Sequence, residues 1–123
     1  MSMFLIVLLS AALLTASYFT YGSLLVRLFQ VNTDAKTPAV ELRDDVDYSP
    51  IAPNELPSQH FSAIAAAGPI VGPILAGVMF GWVPALAWIL VGCIFIGGLH
   101  DFSSLMASIR HNARSMAEVI REH

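Results

Sequence analysis

The segment Gly68-Pro69-Ile70-Val71-Gly72-Pro73 lies inside an otherwise apolar stretch long enough to cross a membrane. Proline has no N–H, so Pro69 leaves the Ala65 carbonyl without its helical partner, and Pro73 does the same to Pro69. In hydrocarbon a bare carbonyl is costly unless protein, water or an ion satisfies it. A helix with two such positions in succession is therefore predicted to be interrupted. Interrupted helices at membrane depth are a recurrent way of building substrate and ion sites.

The rest of the chain supports a membrane setting. Of 123 residues, 56% are hydrophobic and 12% charged, about half the charge of a soluble domain. The fold class expected is all-α and integral to the membrane, with three transmembrane helices, the second interrupted by the Gly-Pro pairs. Residues 3–29 form the first. No Lys or Arg precedes its apolar run and Arg27 follows it, which favours an uncleaved helix over the rival reading of a secretory signal peptide. Residues 30–59 form a polar connection in which Pro38, Pro50, Pro53 and Pro57 forbid a long helix. Residues 61–80 form the second crossing, and Gly81-Trp82-Val83-Pro84 a turn. Residues 85–109 form the third, because the uninterrupted apolar run from Ala85 to Leu99 is itself too short to span. Residues 110–123 are expected to make an amphipathic, charged tail.

Charge gives a direction. The six Lys and Arg are Arg27, Lys36, Arg43, Arg110, Arg114 and Arg121. With three crossings all fall on one side of the membrane. The positive-inside rule then predicts an inner (plasma) membrane protein with its N-terminus outside and its loop and C-terminal tail in the cytoplasm.

Within the second helix Gly68, Gly72 and Ala76 recur every four residues, a spacing that also suits close helix packing. If the helix unwinds, Ala65, Gly68 and Pro69 offer carbonyls to a cation or a water, and N–H groups after Pro73 face an anion. Gly72 and Pro73 belong to the same candidate substrate or ion site. Asp101 is the one acid within the three proposed crossings, roughly 13 Å from the end of its helix. It is a candidate coupling acid or a structural hydrogen-bonding group. His60, at the cytoplasmic end of the second helix, Ser62, and His100 beside Asp101 are candidate gating or interfacial residues. The side chains of His100 and Asp101 leave the helix about 100° apart, so they need not share a partner. Cys93, the single cysteine, reads as a small buried or lipid-facing residue.

With these residues in view the chain resembles the N-terminal region of the carbon starvation protein family of membrane transporters. The resemblance begins near Thr37-Pro38-Ala39 and Asp45-Val46-Asp47-Tyr48, is strongest from His60 through Ala76, and resumes at His100-Asp101-Phe102 and Arg110-His111-Asn112-Ala113-Arg114-Ser115. The family pattern has a second His before His60, Gly at the place of Ala66, Gln at the place of His100, and Gly at the place of Ala113. The resemblance implies uptake of peptides or pyruvate driven by H+ or Na+, and a partial transporter fold in which the interrupted helix is the first of an inverted repeat. Family members are much longer. The implied partners are therefore the lipid bilayer, a small-molecule substrate and the remaining transporter helices, from the same gene or a separate chain. The chain is not expected to function alone.

The alternative is a small structural or oligomerising membrane protein that holds a partner, or forms a pore, through the Gly68/Gly72/Ala76 face. No nucleophile–base pair, metal-ligand spacing, phosphate loop or basic-aromatic surface is visible. Neither enzyme activity, nor a cofactor, metal or nucleic acid, is expected.

Overall fold

A computed structural model describes residues 2–122; those residues are helical, turn or loop, with no strand among them. Their contacts divide the chain into two units. One comprises the N-terminal residues to Ala35 together with the chain from Leu90 onward. The other is Lys36–Ile89.

Helix α1, Met3–Leu28, opens the first unit and is long and apolar enough to cross a membrane. Ser2 caps it, accepting the Leu5 N–H on its hydroxyl. Between Tyr18 and Gly22 it widens into a π turn. Within that turn and just after it hydroxyls bond back to carbonyls four residues earlier, Thr20 to Ala16 at 2.8 Å and Ser23 to Phe19 at 2.5 Å, a habit that bends helices. The helix ends in a Schellman arrangement. Gln30 takes a φ of 49°, and the Val31 and Gln30 N–H groups bond the carbonyls of Val26 and Arg27.

The second unit starts with α2, Pro38–Glu41, one turn with proline at its first position, where the missing N–H does no harm. A tight loop follows. The Asp44 carboxylate accepts the N–H groups of Val46, Asp47 and Tyr48 at 2.8–2.9 Å. The Tyr48 carbonyl in turn accepts those of Asp44 and Asp45.

Helices α3, Leu56–Ile64, and α4, Ala67–Phe80, are bent by 57° across a two-residue break. Gly81 alone separates α4 from α5, Trp82–Arg110. Its φ of 85° and ψ of 163° belong to a region that essentially only glycine enters. The turn expected over Gly81–Pro84 thus contracts to one residue. Pro84 lies in the first turn of α5, where its ring is compatible with a helix. Likewise α3 begins at Leu56, before the expected residue 61, because Pro57 can start a helix as well as stop one.

Helix α5 is long and apolar enough to cross a membrane and carries its own π turn, Gly92–Gly97. It returns to the first unit from Leu90 onward. There Tyr21 meets Phe95 edge-on at 5.2 Å and Phe29 meets Phe102 at 5.5 Å. The Arg110 guanidinium donates to the Phe29 carbonyl at the C-terminus of α1. A second Schellman ending closes α5, with Asn112 and Ala113 both at positive φ and the Ala113 N–H on the Ser108 carbonyl. Helix α6, Met116–Glu122, follows from a capping box. The Glu118 carboxylate accepts the Ser115 N–H and hydroxyl, while the Ser115 hydroxyl accepts the Glu118 N–H. The last residue of the expected tail, His123, lies outside the described residues.

Two helices are therefore candidate spans, and a third exists if the bent pair α3–α4 counts as one. Large apolar side chains remain exposed along all of them, among them Phe4 at 70%, Phe61 at 72% and Val78 at 78%. Among the described residues only Leu25, Pro38, Ala85 and Val119 are buried, and they are divided between the two units. Such a chain places its apolar surface against lipid or protein rather than against itself.

Candidate functional site

The interruption in the second apolar segment falls just before the Gly-Pro pairs, and its geometry explains why. Ala65 has φ −72° and ψ 60°, the central position of an inverse γ-turn. The Ala66 N–H closes that turn on the Ile64 carbonyl at 2.7 Å. Ala66 is extended, with φ −93° and ψ 178°, and α4 starts at Ala67. A helical proline crowds the carbonyl four residues before it. For Pro69 that carbonyl belongs to Ala65, where the chain turns away. Past the break Pro69 sits in the first turn of α4, where no N–H is needed.

Pro73 acts differently. It lies inside α4, which runs through it without ending. The half-helix expected to start after Pro73 in fact starts at Ala67. Its unpaired N–H groups are accordingly those of Ala67 and Gly68, with no side-chain cap from Ala66. The Ala65 and Pro69 carbonyls stand four residues before positions 69 and 73, which are proline and have no N–H to give. One short stretch therefore presents donors and acceptors together, next to Gly68 and Gly72. A Cβ added at either glycine meets nothing within 4 Å, so the backbone there is open to close approach.

His60 and Ser62 stand on the last turns of α3 and are exposed. The Ser62 hydroxyl donates to the Ser58 carbonyl at 2.9 Å, so it bonds its own helix and does not cap the break. Asp101 and His100 lie in the other unit, on α5. Their side chains do reach one another, with Nδ1 of His100 3.1 Å from Oδ1 of Asp101. The 100° between neighbouring Cβ directions is bridged by the length of the two side chains. Ser103 adds a hydroxyl bond to the His100 carbonyl at 3.0 Å. Among the described residues no group of His, Cys, Asp and Glu is arranged to hold a metal ion.

The structure also shows a feature that sequence reading missed. Between α1 and the first-unit part of α5 lies a crevice of about 760 Å3. It is flanked by both π turns and joined at Tyr21, whose hydroxyl is 3.5 Å from the Phe95 carbonyl. Paired π turns carry no sequence signature, although the Thr20 and Ser23 hydroxyls in an apolar helix mark the first of them.

Comparison with known proteins gives a consistent picture. The family Carbon starvation protein CstA matches residues 2–123. The peptide transporter CstA of Bacillus subtilis (strain 168) is 44% identical over 118 residues, covering 95% of this chain and 20% of the relative. The peptide transporter CstA of Escherichia coli (strain K12) is 38% identical, covering 95% of the chain and 17% of the relative. The pyruvate/proton symporter BtsT of the same organism is 39% identical over 106 residues, covering 85% and 15%. The chain thus spans about a fifth or less of the length of these relatives. No solved structure matches it.

Proposed function

Because the chain belongs to the carbon starvation protein CstA family, we propose that it supplies the N-terminal membrane segment of an inner-membrane transporter for small organic nutrients, peptides or pyruvate. On this reading three helices cross the membrane, α1, the bent pair α3–α4, and α5, with the N-terminus outside and the loop and tail cytoplasmic. The remaining helices of the transporter complete the fold.

The observation that carries the proposal is the break at Ala65–Ala66. It leaves the Ala67 and Gly68 N–H groups at a helix start without a side-chain cap, in the same stretch as carbonyls that Pro69 and Pro73 cannot pair. Peptides and pyruvate share a carboxylate. Free N–H groups at a helix start, backed by the helix dipole, suit an anionic group. The Ala65 and Pro69 carbonyls suit a cation or a water that travels with it. Ala65, Gly68, Pro69, Gly72 and Pro73 form the substrate or ion site in this reading. Asp101, paired with His100, takes up the coupling H+ or helps to hold Na+, and His60 and Ser62 border the cytoplasmic approach.

Uptake of labelled pyruvate and short peptides by cells expressing the complete locus tests it. Gly68→Ala adds a methyl group that the chain itself has room for, so membrane insertion should persist while uptake falls at least tenfold. Asp101→Asn should abolish coupling to the ion gradient. Unchanged uptake in both variants removes the site proposal.

A second reading rests on the same open face. Gly68, Gly72 and Ala76 form a strip suited to a neighbouring helix, which fits a small oligomerising or partner-holding membrane protein. Disulfide cross-linking between copies carrying cysteine at position 76, together with absence of uptake, would favour it.

A further inference from the structure

The crevice between α1 and α5 has a polarity that none of the preceding functional argument uses. Its walls include Leu14, Leu25, Val26, Ile94 and Phe102, and its one charged group is Arg27. Tyr21 and Ser23 also line it, but their hydroxyls are engaged by the Phe95 and Phe19 carbonyls. Arg110, near the same end of α1, is engaged by the Phe29 carbonyl. Arg27 is different. It is exposed in the last turn of an apolar helix, and it has neither an ion pair nor a hydrogen-bonding partner for its side chain among the described residues.

The dimensions narrow the choice of occupant. From Leu14 to Arg27 the crevice follows α1 for about 20 Å. That is comparable to the hydrocarbon depth of one leaflet, about 15 Å. A cation at one end of an apolar slot one leaflet deep complements a molecule with an anionic head and an apolar tail. We propose that this crevice is a binding site for an anionic phospholipid, with the phosphate on the Arg27 guanidinium and an acyl chain along the wall made by α1 and α5. Arginine binds phosphate in a fork geometry that ammonium groups lack. The site is independent of the transport reading, since it needs only that the helices lie in a bilayer.

The test uses the full chain in vesicles of phosphatidylcholine doped with spin-labelled phosphatidylglycerol or spin-labelled phosphatidylcholine, and reads the motionally restricted fraction of each. Wild-type protein should prefer phosphatidylglycerol about fivefold, the effect of one basic residue near an anionic lipid. Arg27→Gln should lower that preference to near one, whereas Arg121→Gln should leave it intact. Arg27→Lys should retain part of it, which separates charge recognition from misfolding. Cys93→Trp, which fills the crevice and keeps the charge, should reduce the restricted population of both lipids. Equal restriction of the two lipids by wild type overturns the proposal. So does a preference that survives Arg27→Gln, or a cross-linked second copy of the chain seated along Leu14–Arg27.

Discussion

Asp44 sits in a run of surface acids, yet the structure gives it a distinct task. Its carboxylate gathers three successive N–H groups, those of Val46, Asp47 and Tyr48. The Tyr48 and then the Val46 bond hold its pKa below the usual 3.8. A depressed carboxylate stabilises its loop above its unfolded value and loses that contribution as pH falls through the folded one. The amide protons of Val46, Asp47 and Tyr48 should therefore titrate together by NMR with a midpoint below 3.8, and Asp44→Asn should abolish that titration. A midpoint at or above 3.8 would refute the assignment. Nothing in Asp44-Asp45-Val46-Asp47 tells which acid turns inward, because the choice depends on backbone angles such as the positive φ of Asp45. Ala113 has a comparable history. Its family counterpart is expected to be glycine, and the structure places Ala113 at φ 60°, where a Cβ is disfavoured.

At the scale of elements, the apolar lengths and the prolines made the helices legible, and their edges less so. Pro57 and Pro84 read as stops, but each sits in the first turn of a helix. The second segment is interrupted, as its Gly-Pro pairs predict. The break lies at Ala65–Ala66 and not within the hexapeptide, since a proline disturbs the turn before it more than its own. This is testable. Pro69→Ala restores an N–H for the Ala65 carbonyl and removes the ring that crowds it. In a Cys93→Ser background, spin labels at Leu56 and Val78 should move apart by about 4 Å as the 57° bend straightens. An unchanged distance would show that the γ-turn at Ala65 holds without proline. The His100–Asp101 pair was not legible either, because helical angles describe where side chains start and not how far they reach.

For the whole molecule, family membership was legible from the motif between His60 and Ala76, and family matching extends it across residues 2–123. The crevice was not, since it depends on which faces of two helices remote in sequence meet. The orientation proposed above predicts opposite results for two reporters. A green fluorescent protein fused to the C-terminus should fluoresce, and alkaline phosphatase at the same place should be inactive. Active phosphatase there would reverse the topology and with it the direction from which the broken helix is entered.

The single-residue joint at Gly81 has a consequence for how the chain gets into a membrane at all. On the three-crossing reading proposed above, α4 and α5 have no spacer between them and are expected to partition into the membrane as one unit. No Asp, Glu, Lys or Arg occurs between Glu55 and Asp101, so the joint carries no charge through the lipid, a barrier of about 2.5–3.5 kcal/mol for each such residue. The glycine at that corner supplies both the backbone angles of the joint and its lack of charge.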